Sequence, residues 1–528
     1  MDDQPFYKDV LFTKHKRCVS MTVKIKVWRI QAIAYLLLLL PASFFIIGWI
    51  RPWIAIPATA LLLAAWVLIL LHARKTQTDV YEIKIRTIVL IGVVLLLWCY
   101  LAGLGGFFYQ SDDHHYRNAI FRDLVSFRWP VVYEKTGNSL VYYIGFWLVP
   151  ASIGKLANLF FSFDTAWVVS NVALLLWSFL NIFFVFLLIL IYTKANSNKK
   201  IALALMVFVF FSGMDIIGML RALYFDVTKI PNHIEWWAAI YQYSSNTTQL
   251  FWVYNQSIPV WLATALFVNE KGVRNYVFLC LVLLISSSFP AVGLMFLLFG
   301  MGLYKLILSI RSKQVSSFLK EAFSIQNIIA AVVLLPVFYL YYKTNRAVDG
   351  NSFQFNLYAE VFGWGIAILR YVFFCLLEFG LLSIVLYKEN RSNVLYWISV
   401  VSLCCVGAFS LGATTDFAMR ASIPALLVLM ILTIRTLNGS IRLKEFDGKR
   451  YFCIRKIGLE IAIFLIIGTA TPMVEYSRAF NAVCVHQQLN LIADDVKTLA
   501  NRTVKMDPNF LAANYKELDF YKYLQKHS

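Results

Sequence analysis

Apolar and polar residues along this chain fall into long alternating blocks. Runs such as "QAIAYLLLLLPASFFIIGWI" (31–50) and "IRTIVLIGVVLLLWCYLAGL" (85–104) reach the roughly 20 residues that a helix needs to cross a hydrocarbon core of about 30 Å. Spans are predicted near 31–50, 53–72, 86–106, 166–192, 200–220, 256–270, 274–288, 290–308, 326–343, 361–386, 394–412, 418–436 and 456–473. The fold class is therefore all-α: a polytopic membrane protein of about thirteen transmembrane helices. The apolar stretch 139–158 is left out. Gly145, Pro150 and Gly154 interrupt it, and Tyr142, Tyr143 and Trp147 suit a juxtamembrane helix lying at the outer surface.

With that choice every inward loop is basic. Arg74, Lys75, Lys84 and Arg86 lie in one, Lys194, Lys199 and Lys200 in the next, and Lys271 with Arg274 in a third. Lys305, Arg311, Lys313 and Lys320 follow, then Lys388 with Arg391, and finally Arg442, Lys444, Lys449, Arg450, Arg455 and Lys456. The positive-inside rule then puts the N-terminus in the cytoplasm and the C-terminus outside, in an integral multi-pass membrane protein. The chain divides into a cytoplasmic segment 1–30, a transmembrane hairpin and basic loop 31–85, a core 86–473 with outer loops 107–165 and 221–255, and an extracytoplasmic cap 474–528.

Composition agrees: the 528 residues are 60% hydrophobic and 16% aromatic, with mean hydropathy +0.67, which excludes an ordinary soluble domain. The net charge of +19 raises nucleic acid as a partner, but the basic residues sit in short loops between apolar blocks, so the charge is topological and no nucleic acid is expected. The first 30 residues are polar and basic, unlike a cleavable signal peptide. Of eight cysteines only Cys484 falls on the outer side, so neither a disulfide framework nor a zinc spacing can be built.

The chemistry concentrates in "YQSDDHHYRN" (109–118), at the outer end of a span. Ser111 before Asp112 and Asp113 reads as a helix start, and Asp113 and Arg117 sit one turn apart. One reading is that the acids only stabilise a helix terminus. The other is that a carboxylate at the membrane interface, partly desolvated, serves as a general base. Asp112, Asp113, His114 and His115 are all competent metal ligands, but adjacent residues of one helix diverge by about 100° and cannot all grip one ion.

Other polar residues stand where polarity is costly. Arg370 lies within the span 361–386, with Glu378 two turns on, either as a charge network or as a lipid-phosphate contact. Asp416 and Arg420, four apart at a helix mouth, make an ion pair or an anion site. "SSSFPAVG" (286–293) breaks two spans, as cavity-lining helices do. In the segment 228–259, His233, Glu235, Asn255 and Gln256 alternate with Trp236, Trp237 and Trp252, which suits either an interfacial belt or stacking on a sugar.

This arrangement, with "SDDHHYRNAIFRDL" opening a large outer loop, "WPVVYEKTGNSLVYYIGFWLVPASIGKL" supplying a surface helix and the span 166–192 following, resembles the GT-C class of integral-membrane glycosyltransferases. The resemblance covers the topology from about residue 86 to 436. It implies an inverting transfer of a sugar from a polyprenyl-phosphate donor to a glycan, lipid or protein acceptor. Asp112 or Asp113 would be the base, Asp113 being favoured because Arg117 can hold it, and Arg420 and Arg370 would bind the donor phosphate. His114, Arg117, His233, Trp236, Gln256 and Asp416 would contact substrate. Some members of that class use a divalent ion such as Mg or Mn, for which Asp112 or Asp113 would be the ligand. The rival readings are a polysaccharide polymerase or ligase, and a multi-pass lipid or solute transporter or flippase.

Overall fold

The computed structural model describes residues 21–225, 233–345, 351–353, 359–411, 415–446, 449–487, 497–501 and 510–526. The basic stretch up to Ser20, and the parts 226–232, 412–414 and 488–496 of the predicted outer segments, lie outside them. The chain is a multi-pass, predominantly helical membrane protein: among the described residues, nine helices are long and apolar enough to cross a membrane, and Ile85–Leu101 and Val394–Val406 are apolar but shorter.

The helices, in order, are α1 (Val27–Trp49), α2 (Pro52–Thr76), α3 (Ile85–Leu101), α4 (His114–Ser126), α5 (Gly145–Ala157), α6 (Phe163–Thr193), α7 (Asn198–Phe210), α8 (Asp215–Phe225), α9 (Asn246–Asn269), α10 (Tyr276–Arg311), α11 (Val315–Ala322) and α12 (Ile325–Tyr342). They continue with α13 (Trp364–Asn390, with a π-turn at Leu376–Gly380), α14 (Val394–Val406), α15 (Asp416–Ala421), α16 (Ile423–Ser440), α17 (Lys456–Gly468) and α18 (Ala470–Phe480). Burial sorts them. α16 is buried along almost its whole length, and α1 packs against α2, α5, α6, α9 and α10. α2, α3 and α13 instead present Leu61, Val67, Val89, Val93, Leu369 and Val372 outward, the apolar exterior that lipid as a solvent permits.

Two helices double back. In α10, Ser287 has φ −155° and ψ 61°, and Pro290 follows. The Lys305 ammonium lies 5.5 Å from the Tyr276 ring centre, whereas the rise from 276 to 305 along a straight helix would be about 43 Å. The two arms thus run side by side, which is where the sequence places its break at "SSSFPAVG". In α9 the fold-back is at Val253 (φ −133°, ψ 33°): Trp261 Nε1 donates to Gln249 Oε1 at 3.1 Å, and Ser257 Oγ to the Gln249 carbonyl at 3.2 Å. Ser287 Oγ donates to the Gln256 carbonyl at 2.7 Å, tying the two breaks together.

The α9 fold-back differs from the sequence reading, which leaves 221–255 as an outer loop. Residues 241–251 are buried within the bundle. Their polar side chains satisfy backbone groups freed where α7 ends: Asn246 Nδ2 donates to the Phe208 carbonyl at 2.8 Å and Thr247 Oγ1 to that of Val209 at 2.7 Å. Irregular backbone survives at membrane depth only when enclosed and satisfied in this way.

Small sheets pin the ends of the bundle. β1 (Thr22–Lys26) pairs antiparallel with β2 (Val80–Lys84). β3 (Val132–Tyr133) and β4 (Asn138–Leu140) form a ribbon, and β5 (Asn351–Phe353) pairs with β6 (Phe409–Leu411). β7 (Ile441–Phe446) pairs with β8 (Lys449–Ile454). From the tail, β9 (Leu511–Ala513) joins β4, and the Arg51 guanidinium donates to the Lys522 carbonyl at 2.6 Å. α5, with 13 residues, is about 20 Å long and too short to span. It packs on α1, α4 and α6.

Candidate functional site

The acidic stretch is delivered by a turn that only glycine can make. α3 ends at Leu101, Gly103 takes φ +74°, and a Cβ there would meet the Tyr109 carbonyl oxygen at 2.2 Å, a left-handed position in close backbone contact. Gln110 Nε2 then donates back to the Gly103 carbonyl at 2.9 Å. Helix α4 begins at His114, with no side-chain cap. Ser111 therefore does not cap, contrary to the sequence reading. Its hydroxyl hydrogen-bonds His114 Nδ1 and the Phe251 carbonyl, at 3.1 and 3.2 Å, anchoring the stretch to the α9 fold-back.

Beside this anchor opens a cavity of about 680 Å³. The start of α4, the loop before α5, the Ile234–Ala238 turn, both fold-backs and α15 all contribute to its wall. Two Asp–Arg pairs define its chemistry. Arg117 Nη2 meets Asp113 Oδ2 at 2.8 Å, and Arg420 Nη1 meets Asp416 Oδ1 at 2.5 Å. Each pair is an i,i+4 couple on its own helix. In both the arginine is buried, 5% and 8% exposed, while the carboxylate is open to the cavity mouth at 45% and 41%. Among the described residues, Nη1 of Arg117 and Nε of Arg420 are buried without a hydrogen-bond partner. Each such donor costs about 1–3 kcal/mol until an acceptor arrives, and an anion is the acceptor that two guanidinium groups favour. Tyr142 lies within electrostatic reach of both pairs, and burial pushes its hydroxyl above the usual range.

Opposite stands an aromatic wall. The His233 ring stacks on Trp236 with centres 5.5 Å apart and meets Trp252 edge-on at 5.5 Å. His233 Nε2 contacts Glu475 Oε1 at 3.1 Å, and Nδ1 accepts from the Glu235 amide at 3.3 Å, so both ring nitrogens are engaged by protein groups. Burial opposes the protonation of His233, but the Glu475 carboxylate and nearby Glu235 outweigh it and hold the imidazole above its usual value. Behind the wall, Glu235 accepts from Gln242 Nε2 at 3.0 Å and from the Ser245 amide at 2.9 Å, and burial raises its carboxyl to about 7. Trp237 Nε1 is shared between Asp215 and Glu378, 3.2 Å from each.

Of the ten residues to which the resemblance gives a role, six, Asp113, Arg117, His233, Trp236, Asp416 and Arg420, line this one cavity. Four do not. Asp112 is exposed outside it. His114 is fully buried and stacked on Tyr254 at 5.6 Å; burial, helped by Arg117, pushes it down to about 3, which makes it a neutral packing residue. Gln256 is fully buried behind the α10 break. Arg370 lies against a different pocket, its guanidinium over Phe362 at 4.4 Å. The two sit in different surroundings: Arg370 is exposed, whereas Glu378 is buried and accepts from Trp237 Nε1.

Tyr142, Tyr143, Ser288 and Phe510 also line the cavity, and sequence reasoning did not select them as site residues. Phe510, from the tail, packs on Tyr142 and Tyr116 with ring centres 4.8 and 5.3 Å away. For a divalent ion the donor set does not fit: each cavity aspartate is engaged by its own arginine, and among the described residues no three His, Cys, Asp or Glu converge as ligands. A larger groove of about 740 Å³ between α3, α7 and α18 is lined almost wholly by apolar side chains and holds no paired charges. No protein-family model, no curated protein and no solved structure matches the chain.

Proposed function

We propose that this protein is a membrane glycosyltransferase, of about thirteen spans with its N-terminus inside, that moves a sugar from a polyprenyl-phosphate donor to a glycan, lipid or protein acceptor at the outer face. The observation that carries the reading is the convergence of Asp113–Arg117 and Asp416–Arg420 on one cavity. In this reading Arg117 and Arg420 hold the donor phosphate through their free N–H groups, and His233 with Trp236 gives the sugar a flat surface. The acceptor oxygen attacks the anomeric carbon as its proton passes to Asp113. The bond from that carbon to the phosphate oxygen breaks, and the electron pair leaves on the phosphate, stabilised by the two guanidinium groups. Arg117 thus replaces Arg370 in the phosphate role.

The test is transfer of labelled sugar from a panel of polyprenyl-phosphate donors by purified protein. Asp113→Asn is expected to reduce turnover by about 10²–10⁴-fold, with donor binding retained. Unchanged turnover in that variant, alongside an active wild type, would return Asp113 to an ion-pair role. A transporter is the second reading, favoured by the two broken helices that meet at the cavity, as substrate-binding helices do in many carriers. Movement of lipid or solute by protein in vesicles, without any transfer, would select it.

A further inference from the structure

A second polar cavity, of about 560 Å³, lies at the opposite end of the bundle. Ser288, at the α10 break, lines the cavity described above, whereas Asn275 and Tyr304, toward the far ends of the two α10 arms, line this one. The helical rise between the two is about 20 Å along one arm and about 24 Å along the other. The loop that joins α9 to α10 forms one wall, and α11 with the neighbouring parts of α1 and α2 completes it.

The carboxylates of this wall are taken by neutral donors. Glu270 accepts from Tyr35 Oη at 2.5 Å and from Asn275 Nδ2 at 3.0 Å, and Glu321 from the Val273 amide at 3.1 Å. Its cations Lys271, Arg274 and Lys305 therefore hold no carboxylate among the described residues. Lys305 Nζ donates to the Lys271 carbonyl at 2.6 Å and lies 5.5 Å from the Tyr276 ring centre, which leaves two of its three N–H groups for another acceptor. Arg274 Nε is buried without a hydrogen-bond partner. The stretch of chain from the Lys271 carbonyl to Arg274 spans at most about 11 Å, and Ser324 Oγ fixes the Arg274 carbonyl at 2.5 Å, so the two cations border one space.

Two glutamines add to this. Gln31 and Gln77 are 3% and 7% exposed and line the cavity, and among the described residues neither side-chain amide has a hydrogen-bond partner. A buried amide in that state is destabilising until a partner arrives. The volume falls in the range of small-molecule sites and is far larger than a bare oxyanion needs. A phosphate brings about two negative charges and three acceptor oxygens, which suits cations that no carboxylate neutralises. The hydroxyls of Ser309, Ser312 and Ser317 in the lining favour a water-soluble body over an acyl chain.

We propose that this cavity binds a phosphorylated small molecule of nucleotide or sugar-phosphate size, its phosphate held by Arg274 and Lys305 and its polar body by the Gln31 and Gln77 amides. The inference does not depend on the chemistry proposed for the first cavity.

The experiment is isothermal titration calorimetry of the full chain in detergent with AMP, ribose 5-phosphate, inorganic phosphate, adenosine and dihexanoyl-phosphatidylglycerol. AMP or ribose 5-phosphate is expected to bind once per chain, at least about tenfold more tightly than the other three. Arg274→Gln and Lys305→Gln should each weaken that binding about tenfold, the loss of one charge-assisted contact apiece. Arg274→Lys should recover part of the loss, which separates an effect of charge from one of fold, and Arg420→Gln should leave binding in place, which separates the two cavities. Four outcomes would overturn the proposal: no binding of either phosphorylated compound, equal binding of adenosine, binding of inorganic phosphate or the short-chain lipid as tight or tighter, and undiminished binding when Arg274→Gln and Lys305→Gln are combined.

Discussion

Replacing Arg420 by Gln removes a guanidinium that is 8% exposed, held by Asp416 at 2.5 Å, with an unpartnered Nε. The partner left behind, Asp416, is 41% exposed and can be solvated from the cavity mouth, so the fold should lose no more than about 1 kcal/mol. Donor binding should suffer far more. One hydrogen bond to a charged group is worth about 1.5–3 kcal/mol, so the variant should lose about ten- to a hundredfold in kcat/KM for a phosphate-linked donor. Arg420→Lys should recover only part of the loss, because a point charge cannot reproduce the fork. The assay is initial-rate transfer over a range of donor concentrations, with a thermal melt of the same preparations. A melt unchanged to within a few degrees and a raised KM would agree with the argument. Unchanged kinetics with a lowered melting temperature would refute it and make the Asp416–Arg420 pair purely structural.

The fold-back of α10 predicts that Tyr276→Cys and Lys305→Cys can be joined by a short bifunctional maleimide in a protein otherwise free of reactive cysteine; absence of a cross-link would indicate a straight helix. Gly293→Ala should destabilise the protein by about 1–3 kcal/mol, because a Cβ there would lie 1.9 Å from the Ala421 carbonyl oxygen; an unchanged melting temperature would show that α10 does not press on α15. Asp123, which accepts from Tyr133 Oη and from the Leu499 amide at 2.7 and 3.0 Å, is raised by burial from 3.8 to about 6. The native state therefore binds this proton more tightly than the unfolded chain. Its contribution, at most about 3 kcal/mol, is full below pH ~4 and lost as pH rises through about 6. Asp123→Asn should flatten the melting curve's pH dependence across that window, and an identical pH profile would refute the assignment.

Hydrophobic blocks alone determine that this chain is a helical membrane protein, because an apolar run long enough to span has no other stable home. The break at "SSSFPAVG" was legible for the same local reason: three hydroxyls and a proline interrupt an apolar run. Both Asp–Arg pairs were legible too, since an i,i+4 spacing is a property of one helix. What no local pattern contains is where those helices meet. Asp113 and Asp416 lie far apart in the chain, and only packing of α4, α15 and the two fold-backs sets their arginines on one cavity. The same holds for the failures. His114 and Gln256 carry the same functional groups as His233 and Gln242, and all four are buried, but only the second two are set against the cavity wall. Asn246 and Thr247 look like loop residues until the ends of α7 require their hydrogen bonds. Composition chooses the solvent that a segment faces, a choice each segment makes alone. Which segments share a wall depends on side-chain shape and hydrogen bonds between residues distant in sequence, and that the tertiary structure alone decides.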